Sequence, residues 1–480
     1  MNYRRLIHNL LMLSLLAGAA IACTKVPGDG IDTDKPDDPY ADWGRKSGAA
    51  YVFDGSVIPE ILLTVRESEW NRMLKEFDRD PATNEHFCAS VAFKKGEEVT
   101  RIDSIAFRLK GNTSRRRPEG WSGQMHQKDN ADWHHFHMGM NFRYYWKDIR
   151  HTVHGQRKLH LKYFKEDPSY AREIYCFDLF RRFGVWTAPM DIYCRLRIHV
   201  EGDANPAYFG VYQMIEPYDA DYVKVREDQF GGNDGFLWKC RYGASLNSVY
   251  ASFGYDGGQG QYSNCVYELK TATEEFDAAK EQLKDFILKL TGKTGESFDT
   301  WISTHCDVEL LLRTYAVTTA TGMWDDYWNN SNNFYIYFDA KDKLDYKFYL
   351  LPYDYDNTLG TSADCGVQKD SGRHSPLSWG KPENVLISKI IEIPRYRQMY
   401  IDALKELADP ANSLFYHTVS MSRIRSWQAK VASYVKNDTG EDCEIKDRPA
   451  SWSNHQEYRL LTNDSNNNFF MVKESVIEKL

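Results

Sequence analysis

The sequence is poor in the features that mark repetitive, disordered or simple metal-binding chains. Glycine accounts for 31 of 480 residues and follows no three-residue period, which excludes a collagen-like chain. Positive charge is not in excess: 60 Lys and Arg against 68 Asp and Glu leave a formal charge of −8. That balance argues against a general nucleic-acid binder, whose footprint is basic. None of the 9 cysteines forms a CxxC pair, so no zinc-ligand spacing is present. HExxH and GxSxG are absent, and Gly292-Lys293-Thr294 lacks the P-loop glycine five positions earlier, where Ile287 stands. No internal repeat is visible, and beyond the N-terminus no apolar run is long enough to cross a bilayer. What the chain does have is aromatic residues, 31 Tyr and 13 Trp among them, at a density that solvated chains do not carry.

The first 22 residues read as an export signal: Arg4 and Arg5, an apolar stretch, then small residues. Cys23 follows Ala20-Ile21-Ala22, a bacterial lipobox pattern, and is the expected lipidation site. The expected location is therefore the cell envelope, with a lipid anchor in the outer membrane and the body facing the periplasm or the surface. Residues 23–48, rich in Asp, Pro and Gly, bury too little apolar surface to fold and form a tether. The remaining eight cysteines permit disulfides without requiring them; Cys176 and Cys194, in apolar runs, read as buried thiols.

From residue 49 short alternating runs predict strands at 50–53, 60–65, 89–93 and 102–109, with a helix over 68–77. Asp167-Pro168, an apolar run to Phe183 and then Gly184 predict a capped helix. Residues 191–200 and 208–215 read as a hairpin through Glu201-Gly202-Asp203, and 236–239 as a short strand. Thr271 to Glu274 resembles a capping box before an amphipathic helix, and Asp307 caps another helix to about Thr319. A hairpin of 334–338 and 347–351 follows, then helices from Asn384 to about Val435. The glycine cluster 254–260 reads as a mobile loop. The order gives an α+β fold with a strand-rich N-lobe and a mainly helical C-lobe, the cleft between them being the expected site. The expected domain covers 49–400, with 401–480 a helical extension packed on it.

Three segments carry candidate chemistry. In Leu350-Leu351-Pro352-Tyr353-Asp354-Tyr355-Asp356 an apolar strand runs into two carboxylates, which need a compensating cation; a hard divalent ion is the usual one. In Trp324-Asp325-Asp326-Tyr327-Trp328-Asn329-Asn330-Ser331-Asn332-Asn333 an acid is followed by amides, the division of labour in a kinase catalytic loop. In Arg108-Leu109-Lys110-Gly111-Asn112-Thr113-Ser114-Arg115-Arg116-Arg117 a strand enters a small-residue turn, with cations beside it, suited to phosphates.

Together with Lys158-Leu159-His160-Leu161-Lys162, residues 167–184, Gly210 to Glu216 and Gly235 to Lys239, these segments resemble the CotH family of atypical, secretory-type kinases, from about residue 58 to 400. The resemblance implies an atypical protein-kinase-like, two-lobed fold. It implies transfer of phosphate from a nucleotide, ATP with Mg2+ or Mn2+, to Ser or Thr of an exported or envelope protein. It assigns the catalytic base to Asp325, ahead of Asp326, and the metal to Asp354, ahead of Asp356, with Asn332 or Asn333 helping. Lys158 or Lys162 would meet the phosphates, Glu216 would be the ion-pair partner, and Lys239 would lie in the nucleotide region. Lys110, Asn112 and Ser114 would form the phosphate turn. The alternative is a non-catalytic surface module of the same fold, with Trp121, Trp133, Tyr144, Tyr145 and Trp146 as a platform for glycans or protein partners.

Overall fold

The computed structural model describes residues 48–480 except 113, 147–150, 165–166 and 364–368. The expected export signal, Cys23 and nearly all of the tether lie outside the described residues.

The chain folds as a mixed α+β structure with two sheets. The first is a closed barrel of β1 (Glu60–Val65), β2 (Phe87–Lys95), β3 (Glu98–Lys110), β4 (His137–Asn141), β5 (Lys158–Tyr163), β6 (Asp191–Val200) and β7 (Ala207–Ile215). The order is β1-β2-β3-β4-β5-β7-β6, with neighbours antiparallel except the parallel closure between β6 and β1. Alternation along the strands decides what faces where. Leu109, Met138 and Leu161 sit side by side in the buried interior, while Arg108, Gly139 and His160 form the matching row on the outer face. The helix Glu67–Arg79 joins the barrel core with Trp70, which is fully buried. Truncating Trp70 to alanine would cost about 3–5 kcal/mol.

The second sheet contains β8 (Phe236–Cys240), β9 (Phe253–Tyr255), β10 (Tyr267–Leu269), β11 (Phe334–Phe338) and β12 (Phe348–Pro352), in the order β12-β11-β8-β10-β9. It shares a second, larger core with helices Arg172–Arg182, Phe276–Gly292, Gly295–His305, Val308–Ala320, Val385–Glu392 and Pro394–Ala408. Tyr458 and the last helix, Phe469–Ile477, contribute Phe469 and Phe470 to that same core. Among the described residues no helix is long and apolar enough to cross a membrane. Cys176 and Cys194 are buried free thiols.

Four local expectations are corrected. The run at 50–53 falls in a helix, Ala49–Val52, and its C-cap Phe53, because Ala49 and Val52, three apart, are both buried on one helical face. Gly254 belongs to β9 rather than to a mobile loop; a side chain there would meet the Tyr262 carbonyl. Thr271 makes no capping box: its hydroxyl donates to the Gly235 carbonyl and accepts from the Leu237 amide, both at 2.9 Å. The capping box belongs instead to Thr294 and Ser297, so the Gly292-Lys293-Thr294 run is helix punctuation. For the helix Arg172–Arg182, Asp167 reaches over from outside the first turn to accept from the amides of Ala171 and Arg172, at 3.0 and 2.9 Å.

Candidate active site

The hairpin register brings two distant acidic segments to one place. Phe334, the first residue of β11, lies opposite Pro352, the last of β12. The loop 324–333 and the segment 353–356 therefore leave the sheet at the same end. On the other side of β11, Lys239 of β8 lies opposite Tyr335.

Lys162, on the outer face of the barrel, reaches this end of the second sheet. Its Nζ lies 2.5 Å from Asp354 Oδ1, 2.6 Å from Glu173 Oε2 and 3.8 Å from Asp356 Oδ2. Glu173 comes from the first turn of the helix Arg172–Arg182, and its other oxygen accepts from the Tyr355 amide at 3.0 Å. The lysine–glutamate pair thus grips both the side chain and the backbone of the acidic segment. Burial disfavours the Lys162 charge, but Asp354 and Glu173 outweigh it and hold the ammonium protonated. Burial opposes ionisation of Asp354 as well, yet Lys162 keeps its carboxyl below the usual range. Glu173 is pushed up to about 7 by burial, against the pull of Lys162. Asp356 is raised well above an ordinary carboxyl by burial and by Asp354. One ammonium faces three carboxyl groups, two of which resist ionisation, and a further positive charge would favour their charged forms. Asp354 itself sits at φ +64°, a left-handed conformation that Asp tolerates better than most residues and that is enriched at functional sites.

Asp325 faces the same space, and the Asp354 charge raises its carboxyl after the larger effect of burial. Three amides hold it: Asn330 Nδ2 and Asn332 Nδ2 donate to Oδ1 at 2.6 and 3.1 Å, and Asn333 Nδ2 donates to Oδ2 at 3.0 Å. Asn332 and Asn333 are thus the orienting shell of Asp325. Asp326 is fully committed elsewhere: it caps the short helix Tyr327–Asn330, accepting from the Trp328 and Asn329 amides at 3.1 and 2.9 Å. Both of its oxygens are taken up by these backbone amides, unlike those of Asp325, which meet side-chain amides.

The barrel's outer face supplies cations. Lys110 lies across Gly139, where a side chain would meet its stem, and its Nζ is 3.0 Å from both ring nitrogens of His160. Lys158 pairs with Asp219 at 3.0 Å. From the second sheet, Lys239 lies over the Tyr353 ring, 5.2 Å from its centroid. Among the described residues no carboxylate comes within ion-pair distance of Lys110 or Lys239, although Lys270, Arg241 and Lys162 all have one. Burial, then neighbouring cations, lowers Lys239 to about 8 and Lys110 well below an ordinary lysine.

Other expected site residues stand apart. Glu216 does not partner a lysine: Arg226 binds it through both oxygens at 2.9 and 2.7 Å, in a buried pair. After the Gly111 turn, Arg115 bonds the Gly111 carbonyl, Arg116 pairs with Glu441 and Arg117 with Asp78, so these arginines are spent on the protein. Asn112 is exposed, and the Ser114 hydroxyl packs back against Gly111, whose φ is +105°. Thr113 lies outside the described residues. Of the aromatic platform, Trp133 is buried against Trp70 and Phe209, whereas Trp121 and Trp146 are 71% and 54% exposed.

Sequence reasoning missed Glu173, His160 and Asn330. For Glu173 the available signal was an acid in the first turn of a helix just after a Lys-x-His-x-Lys strand. Burial hid it, since a helix-terminal glutamate ordinarily reads as a dipole contact.

The profile described as "CotH kinase protein" matches residues 121–463, which is more than half of the chain. The chain belongs to the CotH family. Among curated relatives, it is 23% identical to the invasin CotH2 of Rhizopus delemar over 68% of this chain and 49% of that protein. It is 24% identical to the inner spore coat protein H of Bacillus subtilis, over 60% of this chain and 71% of that protein. The spore coat protein homolog 1 of Rhizopus delemar is 21% identical over 76% of this chain and 52% of that one. The chain thus aligns with about half the length of each fungal relative.

Proposed function

We propose that this protein is an atypical kinase that moves the terminal phosphate of a nucleotide, ATP with Mg2+ or Mn2+, onto a Ser or Thr hydroxyl of an exported or envelope protein. The observation that carries this reading is the Lys162–Glu173–Asp354 cluster beside Asp325, with Lys110 and Lys239 facing the same space without a carboxylate partner. Half-buried lysines without an anion are costly to charge, and a polyphosphate supplies the missing charge. In this reading the barrel and the second sheet with its helices correspond to the two lobes of a kinase-like fold.

The residues present fit a divalent ion in the manner of phosphoryl-transfer sites. Among the described residues no three His, Cys, Asp or Glu side chains group to hold a metal by themselves. Magnesium is commonly bound by one or two carboxylates with phosphate and water oxygens completing the shell. Asp354 and Asp356 would provide the protein's share. A bound divalent ion would neutralise charge on the transferred group. Asp325, oriented by its amides, accepts the proton of the acceptor hydroxyl as the new oxygen–phosphorus bond forms and the bond to the nucleoside diphosphate breaks. Lys239 and Lys110 hold the phosphates, and Lys162 keeps Asp354 ionised and in place.

The names of the relatives, an invasin and spore coat proteins, support a surface or envelope location, and the lipobox pattern before Cys23 supports a lipid anchor. They also support a second reading, a surface module binding glycan or protein partners, for which exposed Trp121, Tyr144, Tyr145 and Trp146 are available. Incubation with labelled ATP, magnesium and fractionated envelope proteins separates the two. Label on Ser or Thr of an acceptor supports the kinase. Its absence, together with thermal stabilisation by oligosaccharide alone, supports the binding module.

A further inference from the structure

The face built by β3, β4 and β5 has an unusual arrangement at its centre. Lys110 and His160 touch, and the group between them and the barrel interior is Gly139, which offers no polar atom beyond its backbone. Arg108 and Lys158 flank the pair on their own strands, and His137 lies opposite Lys110 on β4. Lys239 of the second sheet and Lys270, just after β10, add their charges to those acting on the pair. Lys158 is answered by Asp219, and Lys270 by Asp256 and Glu268. Asp256 is the carboxylate whose charge most helps Lys110, and it is already bonded to Lys270 at 2.8 Å. A lysine and an imidazole pressed together among cations cannot all be charged at low cost.

We propose that polyphosphate binding on this face is coupled to proton uptake by the Lys110–His160 pair. The inference rests on the kinase reading and adds a pH dependence to its nucleotide site. Without a ligand, burial and the surrounding cations favour the neutral forms of both groups. A polyanion placed among Lys110, Lys158 and Lys239 reverses that field. The proton comes from the buffer and goes to Lys110 Nζ or to a ring nitrogen of His160, converting a neutral pair into a cation for the phosphates. Affinity should therefore fall as pH rises, although the nucleotide itself is fully ionised near pH 8.

Calorimetric titration of the full chain with ADP and magnesium, in buffers of different ionisation enthalpy near pH 8, reads the protons directly. The expected result is net uptake of about one proton per nucleotide that persists in Lys239→Met, which removes the other lysine lowered to about 8. Lys110→Arg is the sharpest variant, because a guanidinium stays charged. Whatever affinity it retains, each nucleotide it binds should bring much less proton uptake, an outcome that a merely structural role for Lys110 would not produce. His160→Gln should reduce the uptake measured near pH 6. Binding without proton uptake in the wild type, or uptake undiminished in both variants, overturns the inference and leaves the kinase reading standing. Absence of any nucleotide binding overturns both.

Discussion

Lys162 and Asp354 are 192 residues apart in the chain, and their charged atoms are 2.5 Å apart in the fold. The contact joins the barrel to the end of β12, and Glu173 braces it from a third element. Three separate regions of sequence must therefore be in place before the candidate active site exists.

Asp354→Asn should abolish phosphate transfer while leaving the protein folded. It removes the charge Lys162 grips, yet Glu173 still partners the ammonium. Asp325→Asn should act likewise, lowering transfer by about 10²–10⁴-fold through loss of the proton acceptor. Transfer of labelled phosphate at wild-type rate in either variant, with an unchanged circular dichroism spectrum, would remove these residues from the mechanism.

Glu173→Gln and Glu216→Gln should separate function from stability. Glu216→Gln strands the buried Arg226 guanidinium and should cost about 3–5 kcal/mol in denaturant unfolding. Glu173→Gln lifts an excess carboxylate from Lys162, so its stability loss should be the smaller and its loss of transfer the larger. The reverse ordering would return Glu216 to the site.

Asp326 predicts a pH dependence of stability. Burial raises its carboxyl to about 7, with the Asn329 and Trp328 amides pulling the other way. A carboxyl raised above its unfolded value favours the fold while protonated, and that contribution disappears as pH climbs from about 4 to about 7. Asp326→Asn keeps an oxygen for the cap and cannot ionise. Urea unfolding near pH 5 and near pH 8 should show the wild type losing stability relative to this variant. Parallel curves would refute the assignment.

Lys239→Met should raise the melting temperature of the free protein by about 1–2 °C, because an unpaired, half-buried cation is removed. The same change should shrink the stabilisation given by ATP and magnesium. With Lys239 lowered to about 8, the free wild type should also gain stability as pH rises from about 8 towards 10, and the variant should lack that gain. A destabilised variant that keeps the full nucleotide shift would show that Lys239 serves packing alone.

Much of the site was legible because its segments are local. Strict alternation in Lys158-Leu159-His160-Leu161-Lys162 put both lysines on one face, and the hairpin of β11 and β12 followed from two apolar runs and a polar turn. Asp325 and Asp354 announced themselves as acids at the mouths of apolar elements. The errors lie where a side chain's partner is fixed by tertiary packing or turn geometry that the strand and helix pattern does not show. Glu216 looked suited to a lysine, but Arg226 is ten residues away on the other side of its strand end. The arginines at 115–117 looked like a phosphate cradle, but Glu441 and Asp78 claim two of them. The resemblance put Asp325 ahead of Asp326, but residue order alone did not show that the turn at Tyr327 aims Asp326 at backbone amides.

A ring of strands bonded to its neighbours all the way round, with β6 closing onto β1, has no seam at which to splay. The spacing among Arg108, Lys110, Lys158, His160 and Lys162 is therefore a property of the cylinder wall rather than of any one loop. Guests of different length would have to be accommodated from the opposite bank, by β8 to β10 and the turns that join them, while the barrel serves as a fixed ruler.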